Sequence, residues 1–399
     1  MVDDLVVWRG NEVHAVLSER RGRLALTYQP EAQPVSVSMP VRASAYGDAV
    51  VRPWFRGLLP EGQMRLIIAY DIGVQPDDDF GLLRVLGKDC AGALSLREAG
   101  DVPSVHDIVG PALTQPEIGH LLRSLPTSPM GFDEGFRVSL PGNQHKLLLT
   151  QTCDAWHRPD GAPSTHILKP PIATLDSTTV ANEAYCQWLA TAAGLPAATT
   201  SIAEFDGVPV LISERFDRVL LGDGSTRRVH QEDGCQALSI DPKHKYESTD
   251  GRLTLRAIAR VLADNGGELD RLLQAATFTV AIGNADWHGK NVSFTLGDDG
   301  GVSSAPIYDA MSTCFYDTSA TGQRMQRTLG MFIGGVQDID QVRRRDVVAE
   351  GRSWGLSAAR AERLVNETCE ALQSALESIE PPIEELRALV QTRLSILMT

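Results

Sequence analysis

With 399 residues, 43% hydrophobic and 22% charged, the chain is too long for one typical core and reads as an ordinary globular protein of two or three packed units. Its net charge of −14, from 37 basic and 51 acidic residues, argues against a protein that coats nucleic acid by itself. No apolar run approaches ~18 residues, the start MVDDLVVWRG lacks the basic-then-apolar order of a signal peptide, and the six scattered cysteines form no C-x-x-C pair. The expectation is a cytoplasmic protein with free thiols, no membrane span and no structural zinc.

Residues 1–50 alternate in short runs, LVVW, HAVL, RLALTY and VSVSMP, divided by turns at Arg21-Gly22 and Gln29-Pro30, which predicts a small β-rich unit. Over 58–98 the spacing turns helical, through Leu66, Ile67 and Tyr70 and then Phe80, Leu83 and Leu86. The stretch 99–115 is a candidate boundary. RVSL (137–140), Pro141-Gly142-Asn143 and HKLLLT (145–150) predict a hairpin with a Gly turn, and THILKP (165–170) a short strand. STTVANEAYCQWLATAAG (177–194) has a Ser/Thr start, apolar residues four apart and Gly194 and Pro196 as stops, which predicts a helix. SIAEFDGVPVLISERFDR (201–218) reads as two strands about Asp206-Gly207. From 254 the pattern is helical, with Leu272, Ala276, Thr279 and Ile282 on one face, and 357–398 reads as two helices split by Pro381-Pro382. A β-rich half followed by a helical half predicts a two-lobed α+β protein with an added N-terminal unit.

The stretch AIGNADWHGKNVSF (281–294) follows the last turn of a helix and crowds Asn, Asp, His, Lys and Asn together. Asp286 and Asn291 stand five positions apart, the interval at which protein kinases set a hydroxyl-activating Asp before a metal-holding Asn. Lys290 lies between them, where it could neutralise a moving phosphate. The plain alternative is an ordinary polar loop. Asp309, in PIYDAMS, lies 18 positions after Asn291, where a second carboxylate would complete a magnesium site; alternatively it is a turn residue. Upstream, Lys169 on a strand and Glu183 on the following helix match the pair that holds the α- and β-phosphates of a nucleotide. SLPGNQHK (139–146) offers a Gly turn and Lys146 for phosphate contacts, although both lysines could be solvated strand-end residues. His288 has no second His or Cys near it in sequence, which argues against zinc. His230 and His244 read as surface residues, and Trp287 as partly exposed.

Taken in order, S-x-x-G-x-Q-x-K (139–146), T-H-I-L-K-P (165–170), N-E (182–183), E-R-F-D-R (214–218), Q-E-D-x-C-Q (231–236), Y-E (246–247), N-x-D-x-H-x-K-N (284–291) and Y-D-x-x-S (308–312) resemble the HipA family. These are serine/threonine protein kinases that act as toxins of bacterial toxin–antitoxin modules. FRGLLPEGQMR (55–65) and GKDCAGAL (87–94) resemble that family's extra N-terminal unit, and residues 320–399 fit only by length and helicity. The resemblance implies a bilobal kinase-like fold: an accessory subdomain at 1–101, an N-lobe at 102–235 with phosphate loop and hinge, and an all-helical C-lobe at 236–399.

It also implies roles. Asp286 would be the catalytic base, and Asn291 and Asp309 the magnesium ligands. Pro141, Gly142, Asn143, Gln144, His145 and Lys146 would cover the ATP phosphates and Lys169 would contact them, with Glu183 as its partner. His288, Lys290 and Tyr308 would lie near the nucleotide. Gln231, Glu232, Asp233 and Gly234 would form the hinge whose backbone meets adenine, Gly234 standing where the family often has a bulky apolar residue. Ser139 would be a site of inhibitory autophosphorylation, since a phosphate there repels a loop built to hold ATP. The partner would be a helix-turn-helix antitoxin, with DNA reached only through it, and the substrate a protein, for which the family offers an aminoacyl-tRNA synthetase. Arg343-Arg344-Arg345 is either a solvated helix face or a DNA-backbone contact made on that antitoxin. Two other readings stay open: a small-molecule kinase of the aminoglycoside or sugar type, and a non-catalytic regulator bound to an antitoxin.

Overall fold

The structure, a computed structural model, describes residues 4–103, 110–153, 155–159, 162–222, 225–262 and 265–399. The boundary expected at 99–115 falls partly outside these residues. The chain divides into two compact units, one of residues 1–170, 203–242 and 295–301, the other of 171–202, 243–294 and 302–399.

The first unit opens with β1 (Asp4–Arg9), β2 (Glu12–Arg20) and β3 (Arg23–Tyr28), followed by α1 (Asp48–Arg56), α2 (Gly62–Ile72), α3 (Asp79–Leu86) and β4 (Leu94–Glu98). The strands pair in the order β3-β2-β1-β4, and their alternating Leu5, Val7, Ala15, Leu17, Leu24 and Leu26 are fully or almost fully buried, as a one-sided sheet requires. The fourth strand is β4, not VSVSMP. In that run the backbone turns between Ser36 and Met39. Side chains bind it instead of a neighbouring strand: the Tyr28 hydroxyl donates to Met39 O and accepts from Val35 N, and Glu232 accepts from Val37 N.

A second sheet follows. β5 (Ala112–Leu113), α4 (Gln115–Ser124), β6 (Leu147–Gln151), β7 (Trp156–His157) and β8 (His166–Lys169) precede α5 (Thr178–Ala192) of the other unit, and the chain returns through β9 (Thr200–Phe205) and β10 (Val208–Glu214). The strand order is β5-β7-β6-β8-β10-β9. Asp206 and Gly207 both have positive φ, +50° and +78°, the geometry of a two-residue hairpin turn. The hairpin expected between RVSL and HKLLLT does not form: Val138 bridges Asp89 in parallel, and β6 pairs with β8. β11 (Arg218–Leu220), β12 (Thr226–Arg228), β13 (Gln231–Asp233) and α6 (Gly234–Ala237) close the unit. One apolar cluster runs through it from Leu5 to Val210 and includes Trp54, Phe55, Leu83, Leu148 and Leu168.

The second unit is mainly helical. It contains α5, α7 (Leu255–Val261), α8 (Gly266–Ile282), β14 (Ser293–Leu296, whose last residues lie in the first unit), β15 (Val302–Ser304), β16 (Thr328–Ile333), β17 (Val336–Asp338), α9 (Arg344–Ser353), α10 (Ala358–Ser378) and α11 (Glu384–Met398). α10 packs against α5, α8, α9 and α11. The expected face of α8, Leu272, Ala276, Thr279 and Ile282, is buried. The β16–β17 ribbon sits in a region that the sequence reading expected to be all helix. Among the described residues no helix is long and apolar enough to cross a membrane.

Candidate functional site

Helix α8 stops at Gly283, which takes φ +71° and donates to Thr279 and Val280 carbonyls; Asn284 N also reaches back to Thr279 O. The Asn284 Oδ1 then accepts from Asp286 N at 3.1 Å, so this residue shapes the turn, as its place in the motif suggested. Asn291 Nδ2 donates to Asp286 O at 3.1 Å, tying the two ends of the loop across five residues. Gly330 lies so close to the loop that a Cβ there would come within 2.8 Å of the Trp287 backbone, and its N–H donates to Ala285 O. Ala285, Trp287, His288, Lys290 and Asn291 are all buried, while Asp286 is exposed. The loop is a buried, hydrogen-bonded frame that presents one carboxylate.

That carboxylate has a partner the sequence reading did not single out. The Tyr246 hydroxyl donates to Asp286 Oδ1 at 2.8 Å, and its ring meets His288 edge-on at 5.1 Å. Tyr246 is held by its neighbour Glu247, whose N–H donates to Gly330 O and whose carboxylate accepts from Phe332 N at 2.7 Å. Burial, reinforced by the nearby Glu350 charge, pushes Glu247 up to about 7. The Y-E pair in the sequence was the available signal.

Asp309 is also exposed, and its φ of +55° places it in the left-handed region, which costs an L-residue roughly 1–2 kcal/mol. α5 holds this segment. Gln187, with its amide oriented to donate to Ile307 O, accepts from Asp309 N at 3.1 Å. Asn182 makes a two-way bond with the Ser312 backbone, at 3.0 and 2.9 Å. The N-E and Y-D-x-x-S motifs thus meet in space. Tyr308 donates to Lys290 O at 2.6 Å and shares a hydrogen bond with Ser293 Oγ, fastening the Asp309 segment to the Asp286 loop. Because the Asn291 Nδ2 is engaged, its Oδ1 remains as a donor atom; together with the Asp309 carboxylate it offers the hard oxygens that magnesium takes. Glu183, on α5, is buried.

In the first unit, Leu147 pairs with Leu168, and one place further this register sets Lys146 opposite Lys169. Both are buried, so the sheet brings two ammonium groups to one end. The loop Pro141, Gly142, Asn143, Gln144 and His145 precedes Lys146, whose ammonium donates to Pro141 O. Gly142 has φ +107°, and a Cβ there would lie 2.8 Å from Lys146 Nζ. The loop is fastened by Glu61 N to Gly142 O, and Asn143 fills the space beside Gly62. Ser139 is fully buried: its Oγ donates to Leu58 O at 2.7 Å and its N to Asp89 O.

The hinge motif is used by its side chains. Asp233 and Gln236 form a reciprocal cap for α6, which begins at Gly234. Glu232 is fully buried, accepts from Val37 N at 2.9 Å and Trp54 Nε1 at 2.8 Å, and is pushed by burial up to about 7. E-R-F-D-R meets GKDCAGAL: Asp217 holds Arg215, Arg218 and Gly92 N, and Asp89 holds Ser164, Arg218 and Arg228. Burial alone would raise the Asp89 carboxyl, but these arginines hold it well below the carboxylate range. Two expectations fail: Trp287 is buried, and His230 is buried with its Nε2 at 2.8 Å from Val35 O.

Family models described as the HipA N-terminal domain and the HipA-like C-terminal domain match residues 5–97 and 138–376. A protein named putative kinase Y4mE, from Sinorhizobium fredii, is 40% identical over 329 residues, 78% of this chain and 77% of its own. The serine/threonine-protein kinase toxin HipA of Shewanella oneidensis is 28% identical over 306 residues, 73% of this chain and 69% of its own. A solved complex of the Shewanella HipA, HipB and operator DNA superposes with a TM-score of 0.80 at 24% identity, covering 99% of this chain and 96% of that one.

Proposed function

The chain belongs to the HipA family, and from that premise we propose that it is a serine/threonine protein kinase that moves the ATP γ-phosphoryl group to a protein hydroxyl. The observation that carries this reading is the Asp286 loop, a buried frame whose one exposed carboxylate stands beside the anchored carboxamide of Asn291. A substrate hydroxyl gives its proton to Asp286 as its oxygen bonds to the γ-phosphorus, and the bond to the β-phosphate oxygen breaks to leave ADP. Asn291 and Asp309 would hold magnesium, which neutralises charge on the terminal phosphates when bound. Lys169 and the 141–146 loop position those phosphates, with His288, Lys290 and Tyr308 near the nucleotide and the 231–234 backbone at adenine. Most of the rate gain then comes from positioning and charge stabilisation.

The proposal extends to the biology of the relatives. The chain acts as a growth-inhibiting toxin in the cytoplasm, neutralised by a HipB-like helix-turn-helix antitoxin through which it reaches DNA. Its substrate is a protein of the aminoacyl-tRNA synthetase class. Autophosphorylation at Ser139 switches it off, and this requires the serine to leave Leu58 and the interior first. The test is incubation of the pure protein with labelled ATP, magnesium and a cell lysate. Label should enter specific proteins and Ser139, and Asp286→Asn should slow both by about 10²- to 10⁴-fold; a variant as active as the parent sinks the assignment.

A further inference from the structure

Outside the residues assigned above, the first unit contains a cavity of about 210 Å³. Among the described residues, five cationic side chains line it, Lys88, Arg97, Arg137, Arg158 and Arg228, against one carboxylate, Asp89, in a chain whose net charge is −14. Among the described residues, the neighbouring acids offset only part of that charge. Asp101 takes Lys88 and Arg97, at 2.8 and 2.9 Å, and Asp89 is already shared between Arg228 and Arg218.

Among the described residues, the two remaining arginines are held by other means. Arg137 lies over the Phe132 ring at 4.3 Å and donates to the Phe132 and Phe136 carbonyls; Arg158 lies over the Phe136 ring at 5.1 Å. Ring faces and carbonyls fix a guanidinium without cancelling its charge and leave N–H edges to spare. Among the described residues, Arg97 Nε and Arg158 Nε are buried with no hydrogen-bond partner, an arrangement that is costly unless a ligand meets such groups. Arginines stacked purely for packing would not need to converge on one concavity.

We propose that this cavity binds a phosphoryl dianion. Several guanidinium forks approaching from different elements suit a tetrahedral group with several acceptor oxygens better than a flat carboxylate. The site adjoins the backbone that carries Ser139: Arg137 is two residues upstream, Val138 bridges Asp89, and Ser139 N donates to Asp89 O. The group has two sources, a free phosphate compound or a phosphoserine formed at Ser139 of the same chain.

The test titrates inorganic phosphate into the full chain at constant ionic strength, followed by calorimetry and thermal midpoint. Saturable binding is expected in the parent and in Lys169→Met, and a loss of tenfold or more in affinity in Arg137→Gln/Arg158→Gln. Circular dichroism without phosphate checks that the double variant folds, and Arg158→Gln alone replaces it if it does not. Unchanged binding in these variants, or a response that follows ionic strength alone, overturns the proposal. A second titration after incubation with Mg-ATP assigns the source, and this arm alone rests on the kinase reading. Phosphate binding lost on modification of Ser139 assigns the phosphoserine, and binding retained assigns a free ligand.

Discussion

The Tyr246 phenol donates to Asp286 Oδ1, as a substrate hydroxyl would to the base proposed above. Substrate and Tyr246 therefore compete, and a hydrogen bond to a charged group contributes about 1.5–3 kcal/mol. Tyr246→Phe should label protein substrate several-fold faster at limiting substrate; slower labelling would make Tyr246 a support for Asp286 instead. Asp286→Asn should lower the rate by about 10²- to 10⁴-fold, the usual share of a catalytic base, measured with labelled ATP. The polar residues of the 284–291 motif were legible because their spacing is local. Tyr246 stood in the sequence only as part of the Y-E motif, and its contact with Asp286 was not legible because it lies 40 residues earlier and is set by the Glu247 anchor on β16. Trp287 and His230 misled for the same reason, since distant backbone covers them.

At the scale of elements, the sequence predicts what its own neighbours decide. α5, the face of α8, the Asp206-Gly207 turn and the Pro381-Pro382 break all follow from short-range spacing. VSVSMP and RVSL do not become paired strands, because the partners that take their hydrogen-bonding groups, Glu232 and Asp89, lie about 195 and 50 residues away. The loop at 139–146 is held by the segment 58–62 in the same manner. Gly62 is at φ +55°, and a Cβ there would come within 2.2 Å of Asn143 Oδ1. Gly62→Ala should lower stability by about 1–2 kcal/mol for the backbone alone, seen as a lower thermal midpoint. It should also free the loop, so that phosphopeptide mapping finds faster modification of Ser139. Unaltered labelling would show that these contacts do not control access to the serine.

At the scale of the molecule, among the described residues, burial pushes one carboxyl in each unit up to about 7, the fully buried Glu232 in the first and the half-buried Glu247 in the second. Such a group binds its proton more tightly folded than unfolded, where its value is 4.5. Its contribution to stability is complete below about 4.5 and is lost as pH rises through about 7. Thermal midpoints of Glu232→Gln/Glu247→Gln should therefore fall less than those of the parent between pH 5 and 7.5; parallel curves would refute this. Among the described residues, the apolar cluster that begins in the family-matched segment 5–97 runs on to Leu148, Leu168 and Val210, and Glu232 joins Val37 to Trp54. On the ribosome, this linkage sets a clock. The contacts that the first hundred residues make with Leu148, Val210 and Glu232 can form only once more than half of the chain has left the exit tunnel, so the apolar surface they cover is expected to stay open until then. That surface is available to chaperones and proteases well before the Asp286 loop has been translated.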